Sequence, residues 1–372
     1  MNERQAQINL DFNNFCEQNG IINHPVKSKF LTEKYISYLT KEYQFQFFHV
    51  AFIKFLAEHF DLEGKTVLEI GGSNFPTEIV MNIFKVKKWV CVDTPYWNES
   101  SNPRQYREIK QFEFSTTKLG DALKLHDYIL YRGYTDHITP DFANKFDFVF
   151  SLACLEHVQN MLYALNVIYD CLKCNGVFYT HLGPLWSSQY GSHFFITDTP
   201  RPFESLTCLN PLFLPPFVHL THSRKDIYLI LLEKIGEHPK LEQWASEIKG
   251  DSSFVNRYFY EDYKYFLEHS KFENKIISPY KLYLIDSQTK EKLCEMHKGY
   301  EEFDVESAII MAIKETWSKG KITPIPQTDQ HSILLNSFES VPTRLLLKKL
   351  VKRIVPRRIY TMMHNIKNKL KK

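Results

Sequence analysis

The chain has 372 residues, 44% of them hydrophobic and 15% aromatic, and a formal net charge of +3. That is enough for a large core in one enlarged domain or two, and the overall charge makes no demand for a nucleic-acid partner. The charge is uneven, however. Val341 to Lys372 holds eleven Lys or Arg and no acid, and removing those eleven from the net +3 leaves −8 for the first 340 residues. A mildly acidic body carries a basic tail.

Seven cysteines, at 16, 91, 154, 171, 174, 208 and 294, are odd in number and not spaced as a disulfide framework. Cys171 and Cys174 form a CxxC in a helix-like stretch with no second pair, so free thiols in a reducing cytosol are the default. The polar N-terminus "MNERQAQINLDF" has no apolar core of a signal peptide, and no run approaches 18 apolar residues, so neither a leader nor a spanning helix is expected.

In chain order, residues 1–30 show little periodicity and read as partly loose. From Thr32 to Phe60, Tyr43, Phe47, Val50, Ala51, Phe55 and Phe60 recur at helical spacing, which predicts one or two helices. Residues 1–60 read as an N-terminal helical region. Thr66–Ile70 is a predicted buried strand, Thr77–Phe84 a short helix and Trp89–Val92 a second strand. Residues 96–126 are polar and irregular. "DYILYRG" is a third strand and Phe146–Leu152 a fourth. Asn160–Leu172 is an amphipathic helix that stops at "KCNG", with Gly176 expected in the left-handed position. "GVFYTHLG" is a fifth strand. Strand character returns at Lys275–Ile285 and Ser307–Ile313.

Near-continuous apolar strands alternating with helices predict an α/β fold: a Rossmann-like, doubly wound sheet, mostly parallel. The two late strands supply an antiparallel edge. A helical, aromatic insertion, 184–274, falls between the fifth and sixth strands, within a domain spanning 61–318. It reads as a cap over an acceptor site, with a dimerisation surface as the alternative. A linker, 319–340, precedes the tail, 341–372.

Ligands of such sheets sit at the carboxyl ends of the strands. Gly71-Gly72 after the first strand lets backbone approach a ligand, although a plain tight turn would need the same residues. Ser73 or Asn74 can cap the next helix and Pro76 suits its first turn. Asp93, ending the second strand, stands where a carboxylate holds a ribose diol. A dinucleotide loop wants G-x-G-x-x-G. Here Ser73 and Pro76 stand where its second and third glycines belong, which disfavours a nicotinamide cofactor. Glu69 is better explained by an amino-acid ligand whose loop or ammonium it orders.

The stretches "VLEIGGSN", "VCVDTP" and "FDFVFSLACLEHVQNMLYALNVIYDCLKCNGVFYTHLG" resemble the class I S-adenosylmethionine-dependent methyltransferases, in particular the group with "LEHV" after the fourth strand. The resemblance covers roughly residues 60–183. It implies S-adenosyl-L-methionine as cofactor. It places Glu69, Gly71, Gly72, Ser73 (where glycine is usual), Asp93, Thr94, Asp136, Ser151, Leu152, Ala153 and Glu156 around that cofactor. His157 completes the "EH" pair.

Moving a methyl from a sulfonium to a hydroxyl needs alignment and a base. His157, His181 and His193 are the candidates. His193, in "GPLWSSQYGSHFF" after the fifth strand, is the preferred base, with His157 beside it as a second catalytic residue. Trp186 and Tyr190 are expected to stack on a sugar or aromatic acceptor. No metal is expected, since the histidines lack HExxH or equivalent spacing. Asp147 and Cys154 read as structural.

The tail places Leu345, Leu346, Leu347, Leu350, Val351 and Ile354 on one stripe beside Lys348, Lys349, Lys352 and Arg353, which predicts an anchor for an anionic membrane surface. A solvated or protein-docking tail is the competing reading, and no nucleic acid is expected. The expected protein is therefore a cytoplasmic methyltransferase, peripheral on the inner membrane face and open to homodimerisation. Its expected acceptor is an oxygen of a small molecule or glycan. The alternatives are a cofactor-binding but non-catalytic partner in a biosynthetic complex and, less favoured, an NAD-dependent oxidoreductase.

Overall fold

The computed structural model describes residues 3–21, 32–43, 47–71, 79–93, 122–125, 128–133, 135, 138, 140–194, 207–208, 210–251 and 255–315. All belong to one unit, Met1–Thr323. Gly72, Ser73, Thr94, Asp136, the linker 319–340 and the tail 341–372 lie outside the described residues.

Eight strands form one sheet: β1 (Thr66–Ile70), β2 (Lys88–Asp93), β3 (Ala122–Leu125), β4 (Tyr128–Arg132), β5 (Phe146–Leu152), β6 (Leu172–Leu182), β7 (Asn274–Leu282) and β8 (Val305–Ile313). Their order is β3-β4-β2-β1-β5-β6-β8-β7. From β4 to β6 all neighbours are parallel; β3 is antiparallel to β4, and β8 is antiparallel to both β6 and β7. Without β3, this is the doubly wound order with one antiparallel strand, β8, inserted before its last member. The expected fold class is the observed one, antiparallel edge included.

Alternation along each strand divides the core. Val67, Trp89, Phe148, Phe150 and Tyr179 face one side and pack on Phe52, Ile53, Leu56 and Ala57 of a helix, Phe47–His59. Leu68, Ile70, Val90, Val92 and Phe178 face the other and pack on helix Met161–Cys171 and on Tyr260, Tyr263 and Leu267 of helix Tyr260–Glu268. Covering both faces is what makes these strands continuous apolar runs rather than alternating ones.

Four expectations change. Residues 1–30 contain a helix, Glu3–Gln18, whose stripe of Phe12, Phe15 and Cys16 joins the first core. Its end is tied to β7, where Asn274 Nδ2 donates to Asn19 Oδ1 at 2.5 Å. Its surface is otherwise polar, so periodicity alone is faint. Strand β3 lies in the stretch read as irregular, because a four-residue antiparallel edge carries little pattern. Helix Thr77–Phe84 is described only from Ile79, as a π-helical turn to Ile83. Lastly, helix Met161–Cys171 passes directly into β6, and the left-handed residue is Asn175 (φ 62°), not Gly176. Gly176 is needed for space instead, since a Cβ there would lie 2.8 Å from the Lys173 carbonyl oxygen.

Between β6 and β7 the described chain is helical at Val218–Thr221, Arg224–Ile235, Leu241–Ile248 and Tyr260–Glu268. This is the helical insertion expected from the sequence.

Candidate active site

The carboxyl ends of β1, β2, β5 and β6 gather most of the described site residues. Gly71 leaves β1 with φ 71°, and its N–H donates to the Val92 carbonyl at 2.9 Å. A Cβ on Gly71 would lie 1.9 Å from Cys154 Sγ, so the chain after β5 is seated against the backbone after β1. This close approach, rather than a ligand alone, is one reason for glycine here.

Glu69 points into the first core and is fully buried. The Trp89 indole N–H donates to its Oε2 at 2.8 Å. The two are twenty residues apart but diagonal neighbours in the register, where Val67 faces Trp89 and Glu69 faces Cys91. A charge-assisted bond of this kind is worth about 1.5–3 kcal/mol and holds the acid away from open solvent. Asp93, also buried, ends β2 opposite Arg132.

At the end of β5, Ser151 Oγ donates to the Ile70 carbonyl at 2.9 Å and binds β5 to β1. Ala153 has φ 49° and its N–H donates to the His181 carbonyl at 2.9 Å. A non-glycine residue held in the left-handed region costs about 1 kcal/mol or more. Cys154 to His157 follow. Burial first, then the charges of Glu156, Asp93 and Glu69, push the Cys154 thiol up, so it stays protonated.

Glu156 is buried, and burial pushes its carboxyl up to about 8 despite main-chain donors from its own N–H and that of Gly183. Among the described residues its Oε2 has no hydrogen-bond partner.

His157 and His193 come together, their rings edge to face with centroids 5.3 Å apart. His193 is buried at φ 50°. Its Nε2 bonds the Pro184 carbonyl, which requires the proton on Nε2 and leaves Nδ1 as the basic nitrogen. Burial, then the neighbouring His157, hold the ring neutral, down to about 3. Gly191 lets this loop fold on itself, because a Cβ there would lie 2.4 Å from the Leu185 and Trp186 carbonyl oxygens.

His181 stands apart. Burial lowers it to about 4, and it packs edge to face on Tyr280 at 4.5 Å. Trp186 is buried in a cluster with Phe217, Leu220, Phe259 and Phe303, edge to face with His219. Tyr190 is half-buried and meets Tyr283 edge to face at 5.5 Å. Asp147 accepts from the Thr66 N–H and from Lys173 Nζ, each at 2.8 Å, which makes it a structural tie. Among the described residues, no group of three His, Cys, Asp or Glu is arranged to hold a metal ion.

Residues 35–210 match the family model described as a methyltransferase domain. With the strand order and strand-end acids above, that stretch is a class I S-adenosylmethionine-dependent methyltransferase domain. The chain accordingly carries a methyltransferase domain, with S-adenosylmethionine as its cofactor.

No curated protein matches the chain. Three of the solved structures it resembles are more distant. One is an S-adenosylmethionine-dependent methyltransferase from Listeria monocytogenes (13% identity, 72% of this chain, 98% of that one, TM-score 0.38). Another is the complex of the Haloferax volcanii Trm112 methyltransferase activator with a methyltransferase (11%, 79% and 99%, 0.37). The third is Haemonchus contortus phosphoethanolamine N-methyltransferase 2 with S-adenosyl-L-methionine (12%, 68% and 49%, 0.36), of whose length the match spans about half. The assignment rests on the family match and the sheet, not on these.

The residues present fit this cofactor. An orphaned, buried carboxylate oxygen at the strand ends calls for a donor or cation, and the amino-acid end of the cofactor carries an ammonium.

Proposed function

We propose that the enzyme transfers the methyl group to a hydroxyl of a small molecule or glycan, with the acceptor beneath the loop after β6. The observation that carries this reading is the His157–His193 pair, 5.3 Å apart at the strand ends, with the proton of His193 fixed on Nε2. A hydroxyl, unlike a thiolate or an unprotonated amine, must lose a proton as it attacks, and a histidine with a free basic nitrogen serves that need.

The cofactor supplies an activated methyl on a sulfonium. The chain's part is to align and to move one proton. Asp93, Glu69 and the Gly71 turn seat the cofactor, with Ser151, Leu152, Ala153 and Glu156 beneath its methionine end. Gly72, Ser73, Thr94 and Asp136 are proposed to complete that seat. His193 Nδ1 takes the acceptor proton. Burial keeps His193 neutral beforehand, and the charge developing on the acceptor oxygen raises its basicity at the moment of transfer. His157 orients it. Tyr190 borders the acceptor; Trp186 supports the loop from behind.

The domain layout is part of the same proposal. Residues 1–60 form the N-terminal helical region, 61–318 the catalytic domain with 184–274 as its cap, and 319–340 the linker to a basic tail, 341–372.

Exchange of His193→Ala should lower labelled-methyl transfer by about 100-fold or more against a panel of hydroxyl acceptors. S-adenosylhomocysteine affinity should stay within a few fold. Unchanged turnover removes His193 as base. Transfer confined to amine acceptors removes the oxygen reading.

A further inference from the structure

The turn that carries Glu156 and His157 is held from far along the chain. Asn256 is buried at the end of the insertion. Its side-chain Nδ2 donates to the Leu155 carbonyl at 2.9 Å and to the Val158 carbonyl at 3.0 Å. Its main-chain N–H donates to the Glu156 carbonyl at 2.9 Å. Its Oδ1 is itself held, accepting from the Tyr258 N–H at 3.1 Å and from the Tyr263 hydroxyl at 3.0 Å. The Tyr258 hydroxyl donates to the Gln159 carbonyl. Four carbonyls of one short turn, at 155, 156, 158 and 159, thus end on two residues of the insertion about a hundred positions away.

Among the described residues, only two main-chain bonds of its own brace this turn, from the His157 N–H to the Cys154 carbonyl at 2.8 Å and from the Val158 N–H to the Leu155 carbonyl at 3.2 Å. Strand β5 ends at Leu152, a single 3-10 turn spans Leu155–His157, and the α-helix begins at Met161. Buried carbonyls must be satisfied, and whichever group satisfies them sets the backbone. Every side-chain hydrogen-bonding atom of Asn256 is committed, and its acceptor oxygen is pinned to helix Tyr260–Glu268, which packs on the sheet.

We infer that Asn256 is a positioning residue of the enzyme: it holds the Glu156–His157 turn through three main-chain carbonyls, so that the insertion, and not the sheet alone, fixes the geometry of the active site. The inference rests on the reading that Glu156 borders the cofactor. It gives the insertion a task beyond covering the acceptor, because any movement of residues 255–263 is carried to the turn.

Glu156 reports the effect. The titratable groups that feel its charge are Cys154 on its own turn and Tyr263 on helix Tyr260–Glu268, and His157 follows it in the chain. Burial alone lifts its carboxyl, so a loosened turn that admits water lets it fall back.

The test is calorimetry of S-adenosylhomocysteine binding to the full chain from pH 6 to 9. The wild-type protein should show a step in affinity near pH 8 that Glu156→Gln abolishes. Asn256→Ala should weaken binding by about tenfold and move the step down by about one pH unit. If that variant does not fold, its double variant with Tyr263→Phe, which removes the hydroxyl left unpaired, takes its place with the same expectation. A step that stays near pH 8, with affinity within twofold of wild type, overturns the inference whatever the melting temperature does. A wild-type step that is absent, or that survives Glu156→Gln, instead overturns the reading of Glu156 and the inference with it.

Discussion

Cys154 occupies the space that a side chain on Gly71 would need: its Sγ lies 1.9 Å, and its Cβ 2.2 Å, from the place of a Gly71 Cβ. Gly71 and the turn after β5 are therefore one packed unit at the carboxyl ends of the strands.

It follows that Gly71→Ala should cost about 3 kcal/mol or more, from the left-handed backbone together with the clash. Cys154→Ala should not rescue it, since the Cβ at 2.2 Å remains. Urea unfolding of the single and double variants measures both. A near-neutral Gly71→Ala would mean that Gly71 and Cys154 are not in contact.

The buried titratable groups predict a stability maximum near pH 6.5. His193 and His219 are lowered to about 3 and His181 to about 4, all by burial, from 6.5 in the unfolded chain. Below 6.5 the unfolded state binds the extra protons, so stability is lost as pH falls toward the folded values. Glu156 works in the opposite sense. Raised by burial from 4.5 to about 8, it keeps its proton in the fold after the unfolded chain has shed it, so stability falls as pH rises to 8. Melting temperatures from pH 4 to 8.5 should peak near 6.5, and Glu156→Gln should remove the decline above it. An unchanged decline in that variant would assign it to another group.

Much of this was legible from the chain itself. Strands β1, β2 and β5 are near-continuous apolar runs because both faces of the sheet are covered, and Gly71, Asp93 and Glu156 fall at or just past their ends. What escaped depends on contacts rather than pattern. Glu69 and Trp89 are joined only by strand register. Asn256, in "FVNRYF", carries no local mark, and its partners lie about a hundred residues back. Helix Glu3–Gln18 is held by the first core and by β7, contacts that its own faint periodicity does not announce. Trp186, taken for a stacking platform because aromatic residues crowd its loop, lies within an apolar cluster and is proposed as the loop's support.

The basic tail is proposed to seat the enzyme on an anionic membrane surface, on the strength of its acid-free cationic stripe beside leucines. Removal of 341–372 should abolish flotation with vesicles rich in anionic lipid, most visibly at low salt, where the screening length is longest. Equal flotation of full-length and truncated chains would send the tail to another role.

The strand ends are proposed to bind S-adenosylmethionine. Calorimetry should show one equivalent of S-adenosylhomocysteine bound, no binding of NAD, and a loss of about 1.5–3 kcal/mol in Asp93→Ala, as expected for charge-assisted bonds to a ribose diol. Binding of NAD, or an Asp93→Ala protein that holds S-adenosylhomocysteine as tightly as the wild type, would contradict it.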